Sequence, residues 1–173
     1  HIYNIEVFLL KILNYNRETA VDYAKKWAFL RNPNFYNFDS IGGDCTSFVS
    51  QCLYAGSKTM NFSSNGWFYK NGYNKSPSWS GVEFLYQFLI NNKSVGPFAT
   101  KTDINTIKKA DIIQLSFDGK IFAHSLFVVD VIDNNITREC FVASHSDDSY
   151  YRNLFTYNYQ KARFLSIAGV RTF

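Results

Sequence analysis

One cysteine and two histidines carry the chemistry this sequence offers. Cys45 follows Gly42-Gly43-Asp44 and opens an apolar-periodic run, so it is expected in the first turn of a helix. A thiol attacks as thiolate, and a helix N-terminus favours the anion. The free N–H groups there can also hold an oxyanion. Of the three histidines, His1 looks dispensable. A two-residue turn at Asn134-Asn135 would set His124 directly opposite His145 across a hairpin, on one face, with Cβ atoms about 4.5–5.5 Å apart. A bulge would break this pairing. A cysteine on a helix start, a histidine on one strand and a polar orienter on the next are the parts of an activated nucleophile, and they occur in that order.

Other readings of the same residues stand beside this one. Cys52, in an apolar helix, reads as a buried small hydrophobe. Cys140 has the opposite strand parity from His145 and should lie on the far face of the sheet, which argues against a Cys52–Cys140 disulfide. Cys45, His124 and His145 could together hold zinc, but a helix-start cysteine suits thiolate catalysis better, and no metal is expected. Asp44 is either a supporting site residue or a favourable charge at the helix start. Ser40 and Tyr36 are candidates for a second oxyanion donor, and Asp147 or Asp148 competes with His145 as orienter. Trp67, Tyr69 and Trp79 could line a substrate cleft or pack in the core.

The elements that must position these groups can be read coarsely. Asn16 caps a helix running to about residue 31, which Asn32-Pro33 ends. The helix from about Asp44-Cys45 stops at Gly56, a natural C′ residue. Residues 57–79 are polar and aromatic and read as a surface loop. Ser80-Gly81-Val82-Glu83 reads as a capping box opening a third helix, and another helical turn could start at Asp103. From Asp111 onward the pattern changes to strands at 112–117, 121–132, 136–145 and 164–171. Residues 1–15 read as an N-terminal extension, with an amphipathic helix one reading, and 1–173 as a single domain. Helices grouped before an antiparallel sheet make an α+β architecture.

The chain has 173 residues, 46% hydrophobic and 18% charged, which excludes a disordered polymer. Its net charge of +4 comes without a basic block, which weighs against a nucleic-acid partner. No apolar run approaches the ~20 residues of a membrane span, so no integral membrane segment is expected. Three cysteines give neither a disulfide framework nor a zinc pattern. The chain opens on His1 rather than Met, from which an upstream segment is expected, with further domains one reading of it.

The run from Gly42 to Leu53, GGDCTSFVSQCL, resembles the signature of a bacterial amidase family within the papain-like, NlpC-type cysteine peptidase superfamily. The resemblance continues through Trp67-Phe68-Tyr69, Ser78-Trp79-Ser80-Gly81, Ala123-His124-Ser125, His145-Ser146-Asp147, Arg163-Phe164 and Gly169-Val170-Arg171. It implies a papain-like fold with N-terminal helices packed on an antiparallel sheet. It also implies Cys45 as nucleophile, His124 as base and His145 as orienter, with no cofactor. The implied reaction is hydrolysis of an amide through a thioester acyl-enzyme, on a peptide or peptidoglycan-type substrate, at an extracellular or wall-associated location. The rival readings are a catalytically idle binding module of the same fold and an acyltransferase using the same triad.

Overall fold

The computed structural model describes residues 9–173. Two helices follow a short first strand. α1 (Arg17–Trp27) starts where the Asn16 side chain accepts from the Thr19 N–H at 3.0 Å. Its buried face, Ala20 and Ala24, is small, so α2 (Cys45–Ser57) packs against it closely. α1 ends at Trp27, short of the expected residue 31. Helix α2 is buried on nearly every side and forms the axis of the fold. Its C-cap is Lys58 in the left-handed region (φ 55), not Gly56. Gly56 serves a close approach instead: a Cβ there would run into the Tyr15 ring and meet the Asn16 carbonyl at 2.6 Å.

The strands are β1 (Lys11–Leu13), β2 (Tyr69–Asn71), β3 (Asn74–Lys75), β4 (Gly96–Thr102), β5 (Ile112–Ser116), β6 (His124–Asp133), β7 (Arg138–Ser144), β8 (Ser149–Asn153) and β9 (Lys161–Thr172). Seven of them form one antiparallel sheet in the order β1-β9-β5-β6-β7-β8, with β4 also paired to β9; β2 and β3 form a separate hairpin. The architecture is α+β with an antiparallel sheet. β1 occupies part of the stretch read as an amphipathic helix, and pairs with β9 through Ile12 opposite Arg171. The rest of that reading, residues 1–8, lies outside the described residues.

The sheet is covered on both faces, which is why its central strands read as unbroken apolar runs. Phe48, Val49 and Leu53 of α2 meet Ile112, Phe127, Ala143 and Leu165 on one face. Ile113, Leu115, Leu126, Val128, Cys140 and Val142 build a second cluster on the other, closed by Ile107 and Leu154. Cys52 lies in the first cluster and Cys140 in the second, and both are free thiols.

The segment read as a surface loop is a correction. Trp67 and Trp79 are fully buried with ring centroids 5.1 Å apart, and both are tied to α2. Trp67 Nε1 donates to Ser50 Oγ at 3.0 Å, which in turn donates to the Trp79 carbonyl at 2.7 Å. Two large rings bury more apolar area than the segment's polar residues can hold in solvent. Ser80 ends a four-residue helix, α3 (Pro77–Ser80), and Gly81 precedes α4 (Val82–Asn91) without a side-chain cap, so no capping box forms. At Asp103 a single turn closes, from the Ile107 N–H to the Asp103 carbonyl, and no helix follows.

Candidate active site

Cys45 is the first residue of α2, as its position after two glycines demands. Gly42 (φ 86) and Gly43 (φ 97) take left-handed turns that only glycine adopts without strain. A side chain at Gly43 would also strike Ser146 Oγ at 2.9 Å. That hydroxyl accepts from the Asp44 N–H at 3.2 Å, locking the turn after β7 onto the loop before the helix.

Asp44 stands at the N-cap but does not cap. Its Oδ1 accepts from the Phe38 N–H at 3.0 Å and its Oδ2 lies 2.6 Å from His145 Nδ1. With the carboxylate turned away, the Cys45 N–H has no acceptor among the described residues, and a free N–H at a helix start can hold an oxyanion. Cys45 is buried but keeps 7% of its residue surface exposed, whereas Cys52 and Cys140 keep none.

His145 does not stand opposite His124, which corrects the register inferred for the hairpin. The hairpin closes with four loop residues: Asp133 pairs with Arg138, and Asn134 Oδ1 accepts from the N–H groups of Ile136 and Thr137. A bulge near Val129 then moves the pairing by one, to Phe127 opposite Ala143. His145 falls beyond the end of β7, buried, stacked on Phe48 with centroids 4.0 Å apart. Its Nε2 lies 2.9 Å from the Trp27 carbonyl, so both ring nitrogens are engaged elsewhere. A carbonyl only accepts, so the Trp27 contact is made by an Nε2–H, while Nδ1 faces Asp44. Arg31 completes this cluster, forking onto Asp39 and Asp148 at 2.9–3.0 Å with its Nε 3.7 Å from Asp44.

His124 opens β6 opposite Leu115, with its ring beside Phe117 and Tyr157, centroids 6.3 and 6.1 Å away. It makes no hydrogen bond among the described residues. Burial pushes its pKa down to about 4, the Asp147 carboxylate opposing and Arg152 assisting. The imidazole is therefore neutral near pH 7, with lone-pair capacity unspent. Its link to Cys45 runs through the next residues along: Ser125 Oγ and Thr46 Oγ1 lie 2.9 Å apart, and Thr46 Oγ1 is 3.8 Å from Cys45 Sγ.

The remaining candidates separate clearly. Trp67 and Trp79 belong to the core, because neither has any exposed surface to offer a ligand. Tyr69 is half-buried, its hydroxyl accepting from the Tyr36 N–H at 2.8 Å. Tyr36 and Ser40 lie exposed on the loop leading to Gly42. Asp147 is exposed and paired with Arg152 at 2.8 Å. A cavity of about 440 Å³ lies beside Phe84, Phe88 and Asn65, and none of Cys45, His124 and His145 lines it. No three His, Cys, Asp or Glu side chains stand close enough to hold a metal among the described residues. No helix among them is long and apolar enough to cross a membrane. Sequence reasoning missed Arg31, Thr46 and Ser125; only the placing of Thr46 beside Cys45 and Ser125 beside His124 hinted at the last two.

The family model described as "Putative amidase domain" matches residues 14–168. A curated relative, the uncharacterized protein YhbB of Bacillus subtilis (strain 168), is 32% identical over 123 residues, which is 69% of this chain. The match spans 38% of that relative's length. No solved structure matches the chain.

Proposed function

Because the chain belongs to this amidase family, we propose that it is a cysteine-dependent amidase of papain-like type, with Cys45 as nucleophile and His124 as base. The observation that carries the reading is a thiol on the first residue of a buried helix, its N–H without an acceptor among the described residues, joined through Thr46 and Ser125 to the strand start that carries a neutral imidazole with no hydrogen-bond partner among those residues. Catalytic hydrogen bonds are often long until substrate closes the site. In the first step His124 takes the thiol proton and Cys45 Sγ bonds to the amide carbon. The tetrahedral oxyanion rests on the Cys45 N–H, with Ser40 or Tyr36 on the adjoining loop as second donor. The C–N bond then breaks, the amine leaving with the proton from His124. Water, deprotonated by His124, adds to the thioester, and the C–S bond breaks to release the acid and the thiol.

His145 has a different part in this reading. By holding Asp44 it keeps that carboxylate off the helix end and fixes the loop that aims Cys45. Asp147, which favours the charged form of His124, is then the carboxylate that assists the base. The resemblance to wall peptidases supports a peptide of the bacterial cell wall as substrate, and action outside the cell.

The test is turnover of wall-derived peptides by the wild type and by Cys45→Ala and His124→Gln, with mass spectrometry of quenched reactions. An acyl adduct on the Cys45 peptide, and loss of activity by at least about 10³-fold in both variants, is expected. Full activity in Cys45→Ala would sink the reading. Transfer to an added amine in place of water would identify an acyltransferase.

A further inference from the structure

We propose that a buried hydrogen-bond chain from Arg163 through Gln114, Ser125 and Thr46 ends as an O–H donor on the Cys45 sulfur and supports its negative charge. This deepens the proposed function and rests on Cys45 being the nucleophile. The direction of the chain follows from counting protons. Gln114 Oε1 accepts from Arg163 Nε at 2.8 Å, and its Nε2 donates to the Val82 carbonyl at 2.9 Å and to Ser125 Oγ at 3.1 Å. These partners fix which end of the amide is which. Ser125 is fully buried and already accepts from Gln114, and its own proton has one acceptor in reach among the described residues, Thr46 Oγ1 at 2.9 Å. Thr46, equally buried, is left with its proton, and the remaining acceptor is Cys45 Sγ at 3.8 Å, within reach for sulfur.

The reverse order would leave the Ser125 proton buried with nothing to accept it, a loss a native core avoids. The forward order satisfies every member, and most fully when the sulfur is an anion. The guanidinium at the far end polarises each bond in turn. Its own place is held by Glu83 at 2.7 Å and by the rings of Tyr86 and Phe122, 3.7 and 4.1 Å from Cζ. Thr46 thus touches the reacting atom, while Ser125, Gln114 and Arg163 act as positioning residues behind it.

The experiment measures iodoacetamide alkylation of Cys45 against pH, mapped by peptide mass, in the wild type, Thr46→Val, Thr46→Ser and Ser125→Ala. Amide turnover is measured in parallel, with Cys45→Ala as control. Thr46→Val and Ser125→Ala are expected to slow alkylation roughly 10-fold near neutral pH, the size of one hydrogen bond to a charged group. They should also weaken the ultraviolet thiolate signature, while Thr46→Ser restores both. Cys52 and Cys140 report on folding, since they are labelled only if the core opens. If Thr46→Val opens the core, Ser125→Ala decides alone. Wild-type alkylation in a folded Thr46→Val or Ser125→Ala protein overturns the relay and leaves the nucleophile standing if Cys45→Ala is inactive. Turnover surviving Cys45→Ala overturns the proposed function instead.

Discussion

A histidine with no hydrogen-bond partner among the described residues, packed between Phe117 and Tyr157, resists protonation because its cation would lose water and gain little in return. For His124 the folded value of about 4 lies below the ~6.5 of an unfolded chain. Between those values the unfolded state binds more protons, so stability is fully present above about pH 6.5 and falls as the pH drops toward about 4. The loss attributable to this residue is at most about 3 kcal/mol. Urea titrations of the wild type and His124→Gln across this window are expected to converge as pH falls; parallel curves would contradict the burial argument. At this scale Cys45 was legible from its glycines and its place before an apolar helix. The partner of His145 was not, because one bulge near Val129 and two extra loop residues decide where a side chain points, and neither leaves a mark in the alternation of residue types.

Elements here are set by what they must approach. The first turn of α2 works because Asp44 is held aside by His145 and Phe38, so replacing either member of the buried pair should be costly. Asp44→Ala would leave the His145 imidazole facing an empty site, with an expected loss of about 3–5 kcal/mol. In Asp44→Asn the amide still bonds both neighbours and should lose less. Chemical denaturation distinguishes the two, and equal losses would mean that the charge of the carboxylate, more than its hydrogen bonds, holds the loop. The other end of α2 depends on Gly56, whose carbonyl accepts from the Asn16 N–H at 3.1 Å while Tyr15 covers its Cα. Gly56→Ala should push α1 off α2 and cost about 1–3 kcal/mol, despite alanine's better helix propensity. Sequence alone suggested that this glycine ends the helix. A stop and a close approach demand the same residue, and only the neighbouring element tells them apart.

For the whole molecule, the question is what joins a chain whose helices come first and whose sheet is finished last. β9 pairs with β1, β4 and β5, so the final twelve-residue strand binds segments from nearly the full length of the sequence. One ion pair, half-buried at Arg17 and fully buried at Asp111, repeats that connection in side chains. Arg17, at the start of α1, donates to Asp111 Oδ1 at 2.7 Å, to the Lys109 carbonyl at 2.5 Å and to the Ile167 carbonyl at 2.7 Å. Asp111, fully buried, also accepts from the N–H groups of Lys108 and Ile167, both at 2.9 Å. Helix start, sheet centre and final strand therefore share one carboxylate. Removing the guanidinium strands that charge in the core, so Arg17→Met should cost about 3–5 kcal/mol, while Arg17→Met with Asp111→Asn should cost less than the sum of the single changes. A double-mutant cycle by urea unfolding measures the coupling. Additive losses would mean that Arg17 and Asp111 serve their backbone partners separately, and that β9 alone binds the helical and sheet halves into one cooperative unit.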